Sequence, residues 1–141
     1  MKKILLILVA IGFITTAAGA KPSFFTEKAN KKYVLSGDEK KACIEACNTC
    51  IASCKKVEEL CSKEKNTKMA ECQKLCKECV TVCTEAVKLM KSDDPKYKSK
   101  CQECAKVCEK CAAECEKFDM ADCKKCAVDC RKAAKHCSEM K

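Results

Sequence analysis

At 141 residues the chain is long enough for one small domain, and its 18 cysteines far exceed what ordinary core packing uses. A formal charge of +9 invites an anionic partner, but Arg131 is the only arginine, aromatics make up 4% of the chain, and lysines alternate with glutamates in KKVEEL and CEKCAAECEK. That is the pattern of a solvated helix surface; it argues against nucleic-acid binding, which draws on clustered arginines and stacking aromatics.

In chain order, the first element is a targeting segment. Met1-Lys2-Lys3 is basic, Ile4 to Ala18 is mostly apolar, and Ala18-Gly19-Ala20 matches a small-residue cleavage site, so residues 1–20 are expected to be a signal peptide. The apolar run is short for a membrane span, and after cleavage no membrane association is expected. No twin arginine precedes it and the first cysteine comes much later, so the sequence points to general secretion and a periplasmic or secreted location. Cleavage removes two lysines and no acids, which leaves +7. Residues 21–35 read as an N-terminal extension, and 36–141 as a cysteine-rich domain.

After Gly37 there is no glycine, and Pro95 is the only proline, so long helices are permitted almost throughout. Ser36 and Glu39 make an S-x-x-E capping box for a first helix. Asn66 or Thr67 is placed to cap a second, Asp94 followed by Pro95 to open a third, and Asp119 to cap a fourth. Short connections near 63–67, 92–94 and 116–119 favour antiparallel neighbours. The expected fold is all-α, an antiparallel up-and-down four-helix bundle.

The cysteines sort onto these helices. Cys43, Cys47, Cys50, Cys54 and Cys61 fall on the first, and Cys72, Cys76, Cys79 and Cys83 on the second. The third carries Cys101, Cys104, Cys108, Cys111 and Cys115, and the fourth Cys123, Cys126, Cys130 and Cys137. Every step within a set is three, four or seven, so each helix presents one sulfur stripe at the seam positions of a heptad. Ile44, Ile51, Leu75, Val80, Val82, Val87 and Leu89 flank the stripes and read as bundle packing. The core axis is then mostly thiol.

Small apolar packing explains one or two buried cysteines, but not the replacement of nearly every leucine along four seams by a smaller, oxidisable side chain. A disulfide framework suits an exported chain with an even cysteine count. Against it, nine bridges are too many for one bundle axis, and cysteines three or four apart on a helix rarely have bridging geometry. Zinc wants four ligands in a closed tetrahedron, commonly with a glycine turn, whereas these pairs lie within helices. The spacings for iron–sulfur clusters and for C-x-x-C-H haem attachment are missing. Copper(I) fits: it is soft, prefers thiolate, and accepts coordination numbers that two cysteines satisfy. With each thiolate bridging about two ions, loading approaches roughly one per cysteine, on the order of 15 to 20. One Cu(I) per thiolate is neutral, so a filled core buries little net charge.

The stripes CIEACNTCIASC, CQKLCKECVTVC and CAKVCEKCAAEC resemble those of the cysteine-rich four-helix-bundle copper storage protein family, over essentially Ser36 to Lys141. The resemblance implies a pre-folded bundle filled with multiple Cu(I) ions, no catalysis, and a homo-oligomer, specifically a tetramer. Exported members of that family use twin-arginine export, and Lys2-Lys3 departs from this. The resemblance also draws attention to thioethers and histidine near a bundle end. Met69 and Met120 precede Cys72 and Cys123 by three residues at one end, with Cys61 and Cys115; Met90, His136 and Met140 gather at the other. Each methionine reads either as an entry ligand or as ordinary gap filling, and His136, the single histidine, either as a ligand or as an exposed side chain.

The leading expectation is an exported protein that stores Cu(I) on its thiolates. The alternatives are a zinc and copper metal-buffering protein and a disulfide-stapled helical module. An enzyme is not expected, because no nucleophile lies in a recognisable base-and-orienter arrangement. No copper donor or acceptor protein is indicated.

Overall fold

A computed structural model describes residues 24–64 and 67–141, with side chains from Gly37 onward except Glu64. The segment read as a signal peptide, residues 1–20, and the alternative cap Asn66 lie outside the described residues. The elements are α1 (Phe24–Glu64), a single 3₁₀ turn (Thr67–Met69), α2 (Ala70–Lys91), α3 (Tyr97–Cys115) and α4 (Ala121–Glu139). Each helix packs on its sequence neighbours and α1 closes on α4, the up-and-down four-helix bundle expected from the short connections. Among the described residues, no helix is long and apolar enough to cross a membrane.

Three of the four proposed helix starts differ from the expectation. The first helix does not begin at Ser36: α1 starts at Phe24 and runs through Ser36 and Gly37 without a break. One glycine inside a helix costs only about 1 kcal/mol relative to alanine, which good helix formers on both sides outweigh. Thr67 opens the 3₁₀ turn, and the residue at the N-cap of α2 is Met69, without a side-chain cap. Likewise Met120 holds the N-cap of α4, also without one, while Asp119 lies one residue earlier and pairs with Lys124. Asp94 turns the chain toward α3 as expected, although the N-cap of that helix is Lys96, without a side-chain cap. Its Oδ1 accepts the Lys96 N–H at 2.9 Å and its carbonyl accepts the Tyr97 N–H at 2.9 Å, which turns the chain into α3.

The same turn finishes α2 tightly. Asp93 has φ 52°, and the Asp93 and Asp94 N–H groups donate to the Met90 and Leu89 carbonyls at 3.4 and 3.1 Å. This is a Schellman ending with aspartate where glycine is usual; a short polar side chain tolerates the left-handed conformation. Lys40 of α1 pairs with Asp93 and places its ammonium 4.7 Å from the centre of the Tyr97 ring.

Polar ties outside the core set the helix pairing. Arg131 on α4 binds Glu109 at 2.6 Å and Glu116 at 2.7 and 2.8 Å, and Lys100 on α3 binds Glu85 of α2 at 2.9 Å. Exposed pairs of this kind contribute about 0 to 1 kcal/mol each, so they select partners more than they stabilise. A more buried tie joins α1 to α4: Ser53 donates to Asp129, which also accepts from Lys125 at 2.7 Å. Both Ser53 and Asp129 are buried, and each has a partner.

Candidate metal centre

All 18 cysteines face the bundle axis as free thiols, and 17 of them have no exposed surface; Cys61 retains 6%. The heptad spacing is what places them there, since steps of three and four keep a residue on one helix face. Where a stripe steps by seven, a small apolar residue fills the skipped seam position: Val57 in α1 and Ala133 in α4, both fully buried. The stripes of α2 and α4 continue outward at the same spacing into methionines. Met69 and Met90 bracket α2, through buried Ala86, and Met120 and Met140 bracket α4. Tyr97 and Phe118, both packed against the core, hold the equivalent ends of α3.

The sulfurs are in mutual contact along the axis. Nearest pairs across helices include Cys83 with Cys104 at 3.3 Å, Cys50 with Cys130 at 3.4 Å, Cys79 with Cys108 at 3.5 Å, and Cys43 with Cys137 at 3.5 Å. Further along, Cys54 lies 3.6 Å from Cys126, Cys76 lies 3.7 Å from Cys111, and Cys72 lies 3.6 Å from Cys115. These are van der Waals separations, so a disulfide framework is not what holds the helices together; an S–S bond is about 2.05 Å.

At least four sets of four thiols have all their sulfurs within 4.8 Å of one another, and consecutive ones among these four share two members. Cys50, Cys79, Cys83 and Cys108 form one; Cys50, Cys54, Cys79 and Cys130 the next; then Cys54, Cys111, Cys126 and Cys130; then Cys76, Cys111, Cys115 and Cys126. Cys43, Cys101 and Cys137 form a three-sulfur set toward the Met90 end. With metal–thiolate bonds of about 2.3 Å, sulfurs about 3.8, 4.0 and 4.6 Å apart suit tetrahedral, trigonal and digonal ions respectively. The sulfur contacts, from 3.3 Å for Cys83 with Cys104 to 4.0 Å for Cys50 with Cys54, reach the first two. Shared edges are the geometry in which each thiolate bridges two ions.

The electrostatics follow from close-packed thiols. Burial, then the neighbouring Cys72, pushes Cys61 up to about 11 and Cys123 to about 12 from an ordinary 9.0. Cys72 is drawn down to about 4 by hydrogen bonds from Cys115 and Cys76. Deeper in, Cys54 is raised by its hydrogen bonds with Cys111 and Cys126, and its neighbour Cys50 is lowered by those with Cys108 and Cys130. In each contact either sulfur can be the donor, so a soft cation that replaces a shared proton meets sulfurs already in place around it.

The thioethers and histidine divide by position. Met69, Met90 and Met140 are buried at the stripe ends, and the Cys101 thiol points at the Met90 sulfur at 3.8 Å. Met120 is half-buried against the core. His136 is adjacent to Cys137 in sequence, but its side chain is 25% exposed and Nδ1 lies 3.7 Å from Glu139 Oε2. Two features of the lining were missed in the sequence reading, namely Val57 and Ala133 as seam fillers and the Gln102 amide, which donates to the carbonyls of Ser138 and Met140 at 3.4 and 3.1 Å. The fillers were legible as the gaps in the seven-residue steps; an outward-reaching glutamine carries no such signal.

Comparison with known proteins agrees with this geometry. The solved structure of Cu(I)-bound copper storage protein BsCsp3 is similar, with 38% identity and a TM-score of 0.69 over 72% of this chain and 97% of that one. Apo copper storage protein 3 from Bacillus subtilis matches at 38% identity and a TM-score of 0.66, over 71% of this chain and 96% of that one. A protein from Nitrosospira multiformis shares 29% identity with a TM-score of 0.68, over 74% of this chain and 95% of that one. Comparison with curated proteins by sequence gives no match. A family model described as copper storage protein covers residues 36–141, the stretch that contains every cysteine of the sulfur column, and the chain belongs to that family.

Proposed function

We propose that the protein stores Cu(I) on the thiolates of its core, with all 18 cysteines as the ligand pool and no catalytic step. The observation that supports this best is the run of four-sulfur sets with shared edges. Zinc could occupy sets that do not overlap, such as Cys50, Cys79, Cys83 and Cys108 with Cys54, Cys111, Cys126 and Cys130. A Zn(II) on four thiolates leaves two negative charges in a dry core, whereas Cu(I) matched one to one with thiolates leaves none. Charge therefore favours copper, and edge sharing favours many ions over two. The protonated thiols already in contact form a packed apolar core, so the storage vessel is built before its cargo arrives.

The same proposal includes export through the signal read in residues 1–20 and assembly into a homo-oligomer, which the resemblance to the family supports. Thioethers at the stripe ends, Met69, Met90, Met120 and Met140, are suited to weaker, transient copper contacts; His136 is oriented toward Glu139 and is the least favoured ligand. The test is competitive loading. Reduced protein is offered Cu(I) and Zn(II) together without oxygen, desalted, and analysed for both metals. The storage reading expects copper far in excess of zinc; predominant zinc would move the protein to the metal-buffering class.

A further inference from the structure

The first and last helices close the bundle without a loop between them. Short connections set how α2 meets α1, α3 meets α2 and α4 meets α3, but nothing covalent sets the level at which α4 lies against α1. Side-chain shape gives little help. Apart from Ser53, Val57 and Asp129, the residues that α1 and α4 bury over 43–61 and 123–137 are all cysteine or alanine. Cores of uniform side chains lose uniqueness of packing before they lose stability, because one small apolar group fits against another at many levels. Shared metal sites are less tolerant. With metal–thiolate bonds of about 2.3 Å, a slide of about 1 Å separates sulfurs that have to reach the same ion.

Into this seam the chain puts a polar pair. Among the described residues, Ser53 and Asp129 are the two polar or charged residues that the bundle buries, at 5% and 8% exposure, and they bond to each other. Ser53 donates to Asp129 Oδ2, which also accepts from Lys125 at 2.7 Å. Among the described residues this is the one side-chain hydrogen bond between α1 and α4 apart from the thiol contacts. The pair lies beside the sulfurs: Ser53 precedes Cys54, Asp129 precedes Cys130, and Cys54 is 3.6 Å from Cys126 and 3.7 Å from Cys130. Burying a carboxylate costs desolvation, and apolar packing in its place is often as stable or more so, so added stability is not what the pair supplies. A buried polar contact that is satisfied at one level only fixes register, as a core asparagine does in coiled coils.

We infer that Ser53 and Asp129 are positioning residues for copper loading: their hydrogen bond fixes the level of α4 on α1 and so holds Cys54 against Cys126 and Cys130. The inference rests on the storage reading. Cys54 and Cys130 are the two members shared by the set with Cys50 and Cys79 and the set with Cys111 and Cys126, so this contact is an edge common to two sets. Lys125, 57% exposed, balances the carboxylate from the solvent side, which leaves the sulfur side of the seam to the thiols. Neither Ser53 nor Asp129 is a ligand here; each acts through the cysteine that follows it.

Two variants of the full chain test it, each compared with the unaltered protein by urea unfolding without copper and by anaerobic Cu(I) loading. Ser53→Ala combined with Asp129→Leu replaces the pair by apolar groups and leaves no buried polar atom without a partner. Its urea midpoint is expected to equal or exceed that of the unaltered chain, while its loading falls by about two ions, those on the edge that Cys54 and Cys130 form. Asp129→Asn keeps an acceptor for the Ser53 hydroxyl and is expected to load like the unaltered chain. Full loading of the apolar variant overturns the inference. So does a loss of loading that comes with a lower urea midpoint, which is the result for a pair that only stabilises the fold. A deficit in Asp129→Asn as large as in the apolar variant also overturns it, since the charge and not the position would then matter. If the unaltered chain takes up no copper, the storage reading fails and this inference with it; full loading in every form removes the inference alone.

Discussion

A buried cysteine has two uses, and this protein depends on both. Protonated, it is a small apolar group that packs; deprotonated, it is a soft ligand. Cys50 is a sensitive position, because it belongs to two four-sulfur sets and touches Cys79 and Cys130 at 3.5 and 3.4 Å. Cys50→Ala is expected to lower copper loading by about one to two ions, and the vacated volume to destabilise the apo bundle by about 1 kcal/mol. Elemental analysis and urea unfolding read the two effects. The raised thiols Cys61 and Cys123 make the apo fold sensitive to alkali. In the unfolded chain they ionise near 9.0, whereas in the bundle they hold their protons to about 11 and about 12. Between those values the unfolded state binds fewer protons, so stability is fully present below pH 9.0 and falls as pH rises toward about 11 to 12. Denaturant midpoints measured across that window should decline with pH; a flat profile would contradict the assignment.

At the scale of elements, the bundle combines strict core spacing with irregular ends. The turn between α2 and α3 depends on Asp93 at φ 52°. Asp93→Ala puts a Cβ without a compensating polar group into the left-handed region and removes the partner of Lys40. A loss of about 1 to 2 kcal/mol in thermal or chemical unfolding is expected, with copper loading unchanged. Asp94 at the next position was readable as a turn opener because Asp-Pro before a helical run is a local signal. The other starts were less legible. Ser36-Gly37 looks like a boundary, yet the helical propensity of the residues on both sides carries α1 through it. Thr67 and Asp119 have capping side chains, but packing of the sulfur stripes sets the phase of α2 and α4 and puts Met69 and Met120 at the N-caps instead. Tertiary register overrode local preference there.

For the whole molecule, the reading from sequence to architecture was direct wherever periodicity was involved. Eighteen cysteines at steps of three, four and seven specify four faces, and four faces with short connections specify one closed axis. What periodicity does not encode is the difference between the two ends, since Met69 and Met120 at one and Met90 and Met140 at the other look alike as sequence. Burial and the Gln102 clamp separate them. The packed thiol contacts also imply that folding does not wait for metal, in contrast to zinc fingers, whose apo chains are unfolded. Reduced, metal-free protein should give a strongly helical far-ultraviolet circular dichroism spectrum; a random-coil spectrum would mean that copper builds the bundle.

The most direct test of the central claim is an anaerobic Cu(I) titration of the reduced protein against a chromophoric Cu(I) chelator. Tight uptake that continues to roughly one ion per cysteine, on the order of 15 to 20 per chain, is the expected result for a column of bridging thiolates. Saturation at one or two ions, or none, would contradict it and leave the thiols without a storage role.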